Sequence, residues 1–190
     1  MVYNQEMIAA IILAAGQSQR MGFPKLELEY NNKSFLKIAI DKAVQVADIS
    51  YLVVGANKQY LKEIKDSNVI AVNNPDWSKG LSSSLKAGIL ALDKGVRSAI
   101  IILPDQPLVE LEHLQNLIEV FNNSDNNLVY SKYQDSLGVP AIIGRELFAQ
   151  VLKIKGDKGA RVLAANNNYD WIRLEHYLDI DSPEDISKLP

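Results

Sequence analysis

The sequence predicts an α/β fold of three layers, αβα, built on a mainly parallel sheet. Three observations carry this. Apolar, partly β-branched runs alternate with segments of helical spacing through the first two thirds of the chain. The run Ala99–Leu103 is apolar throughout, as a strand covered on both faces should be. A loop of small residues, Leu13-Ala14-Ala15-Gly16, follows the first apolar run, and open α/β sheets bind ligands beyond the carboxyl ends of their strands.

The elements follow in order. Met7–Leu13 is a buried strand running into the Gly-containing loop. Ser34–Ala47 is a helix, with apolar residues at Phe35, Leu36, Ala39, Ile40, Ala43, Val44 and Ala47. Tyr51–Val54 is a strand ended by Gly55, Lys58–Ile64 a short helix, and Val69–Val72 a third strand ended by Asn73-Asn74-Pro75. Leu81–Leu92 is a helix opened by Gly80 and a serine run. Ala99–Leu103 is the strongest strand, and Glu110–Phe121 is a helix. Leu128–Tyr133 and Val139–Ile143 are strands that could pair across their turn. Arg145–Leu152 and Lys158–Ala165 have helical spacing, and Trp171–Leu174 and Tyr177–Ile180 read as short strands. Ser182-Pro183-Glu184-Asp185 opens a last helix with a capping pattern. The polar stretch Asn122–Asn127 joins two halves, about 1–121 and about 128–190, of a single expected domain spanning 1–190.

Composition narrows the function. The chain has 190 residues, 47% of them hydrophobic, so a packed core is expected. A net charge of -3 gives no general attraction to nucleic acid or to an anionic membrane. An anionic substrate needs a local cationic patch. The absence of cysteine excludes disulfides, thiolate metal sites and cysteine nucleophiles. The polar start lacks the basic residues of a signal peptide, and the apolar run Met7–Ala15 is too short to cross a bilayer. A soluble, cytoplasmic protein is the expectation.

The first loop reads Leu13-Ala14-Ala15-Gly16 and continues to Arg20, Met21, Gly22 and Lys25. Small residues let backbone N–H groups approach an anion, and Arg20 and Lys25 add two cations. It fits neither G-x-G-x-x-G nor G-x-x-x-x-G-K-[ST]. The residues alone leave two readings open: an anion site, or an ordinary βα turn with solvated charges.

The whole string resembles L-A-[AG]-G-x-S-x-R-M-G-x-x-K, the signature of the MobA-like nucleotidyltransferases, which include the molybdopterin guanylyl- and cytidylyltransferases. Further segments resemble that family in the same order. They are Asn74-Pro75-Asp76-Trp77 through Gly80 to Leu85, Leu103-Pro104-Asp105-Gln106-Pro107, Gly138 to Ala141, Gly156 to Arg161, and Asp179 to Asp185. The resemblance implies a Rossmann-like sheet of the nucleotide-diphospho-sugar transferase type, with a nucleotide-binding first half and an acceptor-binding second half. It leans toward the cytidylyl branch: Ala15 stands where guanylyltransferases resemble L-A-G-G, Ser82-Ser83-Ser84 replaces a G-P-L-A-G-like string of the guanylyl branch, and Asp179 and Asp181 stand where the guanylyl branch tends to have asparagines.

The implied reaction is transfer of a nucleotidyl group, CMP favoured, from CTP (GTP is the alternative) to the phosphate of a molybdopterin-type acceptor. Pyrophosphate leaves, Mg²⁺ is the cofactor, and a molybdoenzyme receives the product. A phosphate monoester is mostly dianionic at neutral pH and needs no general base, which agrees with only two histidines and no triad pattern. Leu13, Ala14, Ala15, Gly16, Arg20, Lys25, Asn74, Gly80, Ser82 and Ser83 are the implied nucleotide-side residues. Arg20, Lys25 and Asp105 are the catalytic set, with Asp105 and Asp181 as metal ligands and Asp179 as a further carboxylate. Gly138, Pro140, Gly156, Asp157 and Arg161 fall on the acceptor side, with Arg161 a phosphate ligand.

Plainer readings stand beside these. Asp105 before Pro107 could cap a turn, Asp181 could start a helix, and the serines could be polar residues of a helix N-terminus. His113 and His176 read as structural or solvated, Trp77 and Trp171 as packing residues, and Lys58, Lys62 and Lys65 as a solvated helix face. Within enzymes, a sugar or alditol phosphate acceptor is the rival. Outside them it is a nucleotide-binding chaperone that delivers a finished cofactor. A dehydrogenase is disfavoured because the glycine fingerprint is absent.

Overall fold

A computed structural model describes residues 7–18, 21–64 and 68–190. Seven strands form one sheet: β1 (Met7–Ala14), β4 (Ile49–Val54), β5 (Val69–Asn73), β6 (Val96–Ile102), β7 (Leu128–Tyr133), β8 (Ser136–Gly144) and β9 (Asp170–Arg173). Their order is β5-β4-β1-β6-β8-β7-β9. All are parallel except β8, which runs antiparallel to β6 on one side and to β7 on the other. The expected mainly parallel sheet is therefore present, and the two strands expected to pair across a turn do so.

Alternation along β1 shows why the sheet carries helices on both faces. Ala10, Ile12 and Ala14 point into a core with Leu36 and Ile40 of α1 (Phe35–Val46) and Leu114 and Leu117 of α3 (Leu111–Asn123). Ile11 and Leu13 point into the opposite core, with Leu85 and Ile89 of α2 (Leu81–Ala91) and Phe148 and Val151 of α4 (Phe148–Val151). A strand buried on both faces has no polar side, which is what the apolar runs of β1 and β6 encode.

The structure differs from the sequence reading at shorter elements. Lys58–Glu63 and Ala160–Ala165 are 3₁₀ turns, and Arg145–Leu152 resolves into a 3₁₀ turn followed by the single turn of α4. None of them has a side-chain cap, and short uncapped segments are held by packing rather than by helix propensity. Tyr177–Ile180 joins no sheet; the Ile180 amide instead donates to the Asp105 carbonyl at 3.0 Å. A hairpin of β2 (Glu29–Tyr30) and β3 (Lys33–Ser34) has no strong pattern to announce it. The last helix, α5 (Pro183–Ile186), carries its full capping box on Ser182 and Asp185. No helix of the described residues is long and apolar enough to cross a membrane.

Sheet order places the site. From β1 the chain winds outward to β4 and β5, then returns to the other flank of β1 as β6. Loops leaving the carboxyl ends of β1 and β6 therefore diverge and open a crevice.

Candidate active site

A cleft of about 750 Å³ fills that crevice. Its floor is Leu13, Ala14, Ala15 and Gly16 from β1 and its loop, with Leu103, Pro104 and Asp105 after β6. One wall is Trp77 to Leu81 with Ser84, and Asp157 and Asp181 complete the rim. Trp77 is seated over Gly55, where a Cβ atom would come within 2.5 Å of the tryptophan Cβ.

The first loop is wound at Ser18, whose φ of 56° is in the left-handed region. Its hydroxyl accepts from the Lys25 backbone N–H at 3.3 Å and its carbonyl from Met21 at 3.0 Å. This brings Lys25 back across the cleft. Its Nζ donates to Asp105 Oδ2 at 2.6 Å and to Asp181 Oδ1 at 2.9 Å. Three charged side chains from the first loop, the β6 loop and the segment before α5 thus meet at one ammonium. Burial opposes the Lys25 charge, but the two carboxylates outweigh it and raise the pKa. Burial also raises the Asp105 pKa; Lys25 opposes the shift, while Asp179 and Asp181 add to it.

Most of the sequence-derived set gathers here, with exceptions. Leu13, Ala14, Ala15, Gly16, Lys25, Gly80, Asp105, Asp157 and Asp181 line the cleft. Arg20 lies outside the described residues, as does Lys65. Asn74 is buried and fully engaged: its Nδ2 donates to Ser83 and Ser84 Oγ, and its Oδ1 accepts from the Asp76 N–H. Asn74, Ser82 and Ser83 thus lie behind the wall, and of the run 82–84 it is Ser84 that lines the cleft. The amides opening α2 already have protein partners, Leu81 N–H on Asp157 Oδ1 at 3.2 Å and Ser82 N–H on the Gly156 carbonyl at 3.3 Å. Gly138 and Pro140 lie at the start of β8, at the same sheet edge as the β6 loop, and Arg161 is exposed and outside the cleft lining.

Sequence reasoning passed over Gln106 and Tyr133. Gln106 Nε2 donates to Asp179 Oδ1 at 2.7 Å and to the Tyr133 hydroxyl at 2.8 Å, beside the carboxylate site. Asp179 is engaged there rather than on Lys25. His113 is buried against Ser131 Oγ at 2.7 Å, and neither histidine lines the cleft.

A crevice at a sheet switch point, with a glycine-bearing loop and a cation shared by carboxylates, is the site of an α/β enzyme that handles phosphates. Residues 10–171 match the family model for the MobA-like NTP transferase domain, and the chain belongs to that family of nucleotidyltransferases. Members move a nucleotidyl group from a nucleoside triphosphate to a phosphate-bearing acceptor and generally require a divalent metal. The chain is 25% identical to the molybdenum cofactor cytidylyltransferase of Escherichia coli K12 over 184 residues, covering 94% of this chain and 93% of that protein. It is 26% identical to the purine catabolism protein PucB of Bacillus subtilis 168, covering 82% and 80%. The crystal structure of Rv0371c from Mycobacterium tuberculosis H37Rv superposes with a TM-score of 0.82 at 25% identity, covering 96% of each chain.

The residues present fit a divalent ion. Asp105 Oδ1 is buried with no hydrogen-bond partner among the described residues. Asp105 Oδ2 and Asp181 Oδ1 are hard oxygen donors already turned toward one positive charge. No group of three or more metal-ligating side chains occurs among the described residues. Asp105 and Asp181 would be the side chains to hold such an ion, and phosphate and water oxygens would supply the remaining ligands.

Proposed function

We propose that the chain transfers CMP from CTP to the phosphate of a molybdopterin-type acceptor, releasing pyrophosphate, with Mg²⁺ held by Asp105 and Asp181. The convergence of Lys25, Asp105 and Asp181 in the switch-point crevice carries this reading. Among the described residues lining the cleft, two lysines face three aspartates. A triphosphate entering such a site needs added positive charge, which a divalent ion and Arg20 supply.

An oxygen of the acceptor phosphate attacks the α-phosphorus. The P–O bond to pyrophosphate breaks, and its electron pair leaves with the pyrophosphate. The nucleophile is already dianionic, so no residue need take a proton. Asp105 and Asp181 would hold the ion, which would supply positive charge against that developing on the leaving group. Backbone N–H groups of Ala14, Ala15 and Gly16 hold the triphosphate, assisted by Leu13, Gly80 and Ser84. Asn74, Ser82 and Ser83 act on the nucleotide from behind, by fixing the wall. Lys25 and Arg20 bind the β- and γ-phosphates. Gly138, Pro140, Gly156 and Asp157 shape the acceptor side, and Arg161 reaches the acceptor phosphate from the rim. Likeness to the cytidylyltransferase over nearly the whole chain supports CTP. Ala15 supports it too; its side chain packs in the α2-side core. A cytoplasmic molybdoenzyme is the recipient of the product.

The test is pyrophosphate release with CTP against GTP, with and without molybdopterin. Release is expected only with CTP and molybdopterin together, and is lost in Asp105→Ala with the fold retained. Faster release with GTP would reassign the donor. Release with a sugar phosphate but not with molybdopterin would overturn the acceptor.

A further inference from the structure

Asp105 and Gln106 are adjacent but serve different partners. Asp105 faces the cleft, whereas Gln106 is 6% exposed and turns away from it. The Gln106 amide bridges Asp179 Oδ1 at 2.7 Å and the Tyr133 hydroxyl at 2.8 Å, and that hydroxyl donates to the Val139 carbonyl. One residue back in the first segment and one residue on in the second, the Ile180 N–H donates to the Asp105 carbonyl at 3.0 Å. Residues 105–106 and 179–180 are therefore tied twice, and Asp181 follows directly.

We infer that Gln106 is a positioning residue that latches the Asp179–Asp181 segment, so that Asp181 meets Lys25 and Asp105. This rests on the reading of Asp105 and Asp181 as metal ligands. Packing alone does not explain a glutamine here. Its Oε1 is buried with no hydrogen-bond partner among the described residues, an unmet acceptor that an apolar side chain of similar size would avoid. What the amide offers is two N–H donors on one nitrogen. One serves a carboxylate and the other a phenol whose own proton is committed to Val139. A carboxylate at this position would stand against Asp179. On this account Asp179 is the latch's acceptor rather than a metal ligand, although it lies two residues from Asp181.

The experiment exchanges the two groups. Gln106→Glu and Asp179→Asn are made singly and together, with Asp181→Asn as reference. Three quantities are measured: the Mn²⁺ dissociation constant with a non-hydrolysable CTP analogue, hydrogen exchange at the Ile180 amide, and turnover. Each single variant should weaken Mn²⁺ about tenfold, the scale of groups that orient metal ligands, and speed Ile180 exchange. The combined variant keeps the charge and one amide–carboxylate bond with its donor reversed. It should recover Mn²⁺ affinity to within about threefold. A combined variant no better than Asp179→Asn would make Asp179 a ligand in its own right and overturn the proposal, as would single variants with unchanged Mn²⁺ affinity. If Asp181→Asn alone leaves Mn²⁺ binding intact, the metal reading fails instead. Ile180 exchange would then still record whether Gln106 holds the segment.

Discussion

Lys25 carries one positive charge between two carboxylates, so it competes with any metal for the same oxygens. Lys25→Ala should therefore have opposite effects on two measurements. Turnover should fall by on the order of 100-fold, because a charge facing the leaving pyrophosphate is lost. Mg²⁺ binding without nucleotide should tighten, because the competing ammonium is gone. Calorimetric titration checks this, and weaker Mg²⁺ binding would show that Lys25 organises the carboxylates instead. A second residue-level expectation concerns acid. Burial lowers the His113 pKa from its ordinary 6.5, with Glu110 opposing. The unfolded chain thus binds the proton more readily than the folded one as pH falls below that value. The contribution of neutral His113 is complete above pH 6.5 and is lost as pH falls toward the depressed folded value. His113→Gln should flatten that part of a stability–pH curve, and an unchanged slope would assign the acid sensitivity elsewhere. Lys25 and Asp105 are marked out by the family resemblance, the residues alone leaving an ordinary turn open at each, and the structure brings the two side chains together. Gln106 is not, since its partners lie 27 and 73 residues away and no periodicity registers them.

At the scale of elements, the entry to α2 shows how the cleft wall is held. Gly80 has φ 95°, and a Cβ there would come within 3.0 Å of the Gly156 carbonyl. Gly156 also has positive φ, 69°, but a Cβ there would meet open space. Gly80→Ala should cost about 2 kcal/mol or more, combining backbone strain with displacement of the 156–157 segment. Gly156→Ala should cost about 1 kcal/mol from the backbone alone. Chemical denaturation of both compares them, and equal losses would mean the segment yields freely to Gly80. The serine run at this helix start reads in sequence as an open anion site. The structure instead places Asp157 and Gly156 on the first amides, a contact made 76 residues away in sequence for Asp157. Long apolar strands and capped helices are legible because their signals are local. The 3₁₀ turns and the Tyr177–Ile180 segment are not, because packing and one distant carbonyl decide their form.

Across the whole molecule, the site is assembled from the first loop, the β6 loop and the segment before α5. Ile180 couples them: it is 0% exposed and packs with Met21 and Phe35. Ile180→Ala should cost about 2–5 kcal/mol as a buried truncation, and turnover should fall with it, because Asp181 is its neighbour. Thermal denaturation and a rate assay test this together, and lost stability with full turnover would detach the segment from catalysis. The parallel sheet and its crevice follow from the alternating pattern. The reversed direction of β8 does not follow from composition, since an apolar run carries no sign of its direction. That reversal has a practical corollary. Because β8 runs against its neighbours, its first residues reach the same edge as the carboxyl ends of β1 and β6, and the opposite edge is left to plain connections such as Asp93–Gly95. A dye, an affinity handle or a tether to a surface attached at the exposed Lys94 would sit across the sheet from the cleft and leave both substrates free to enter.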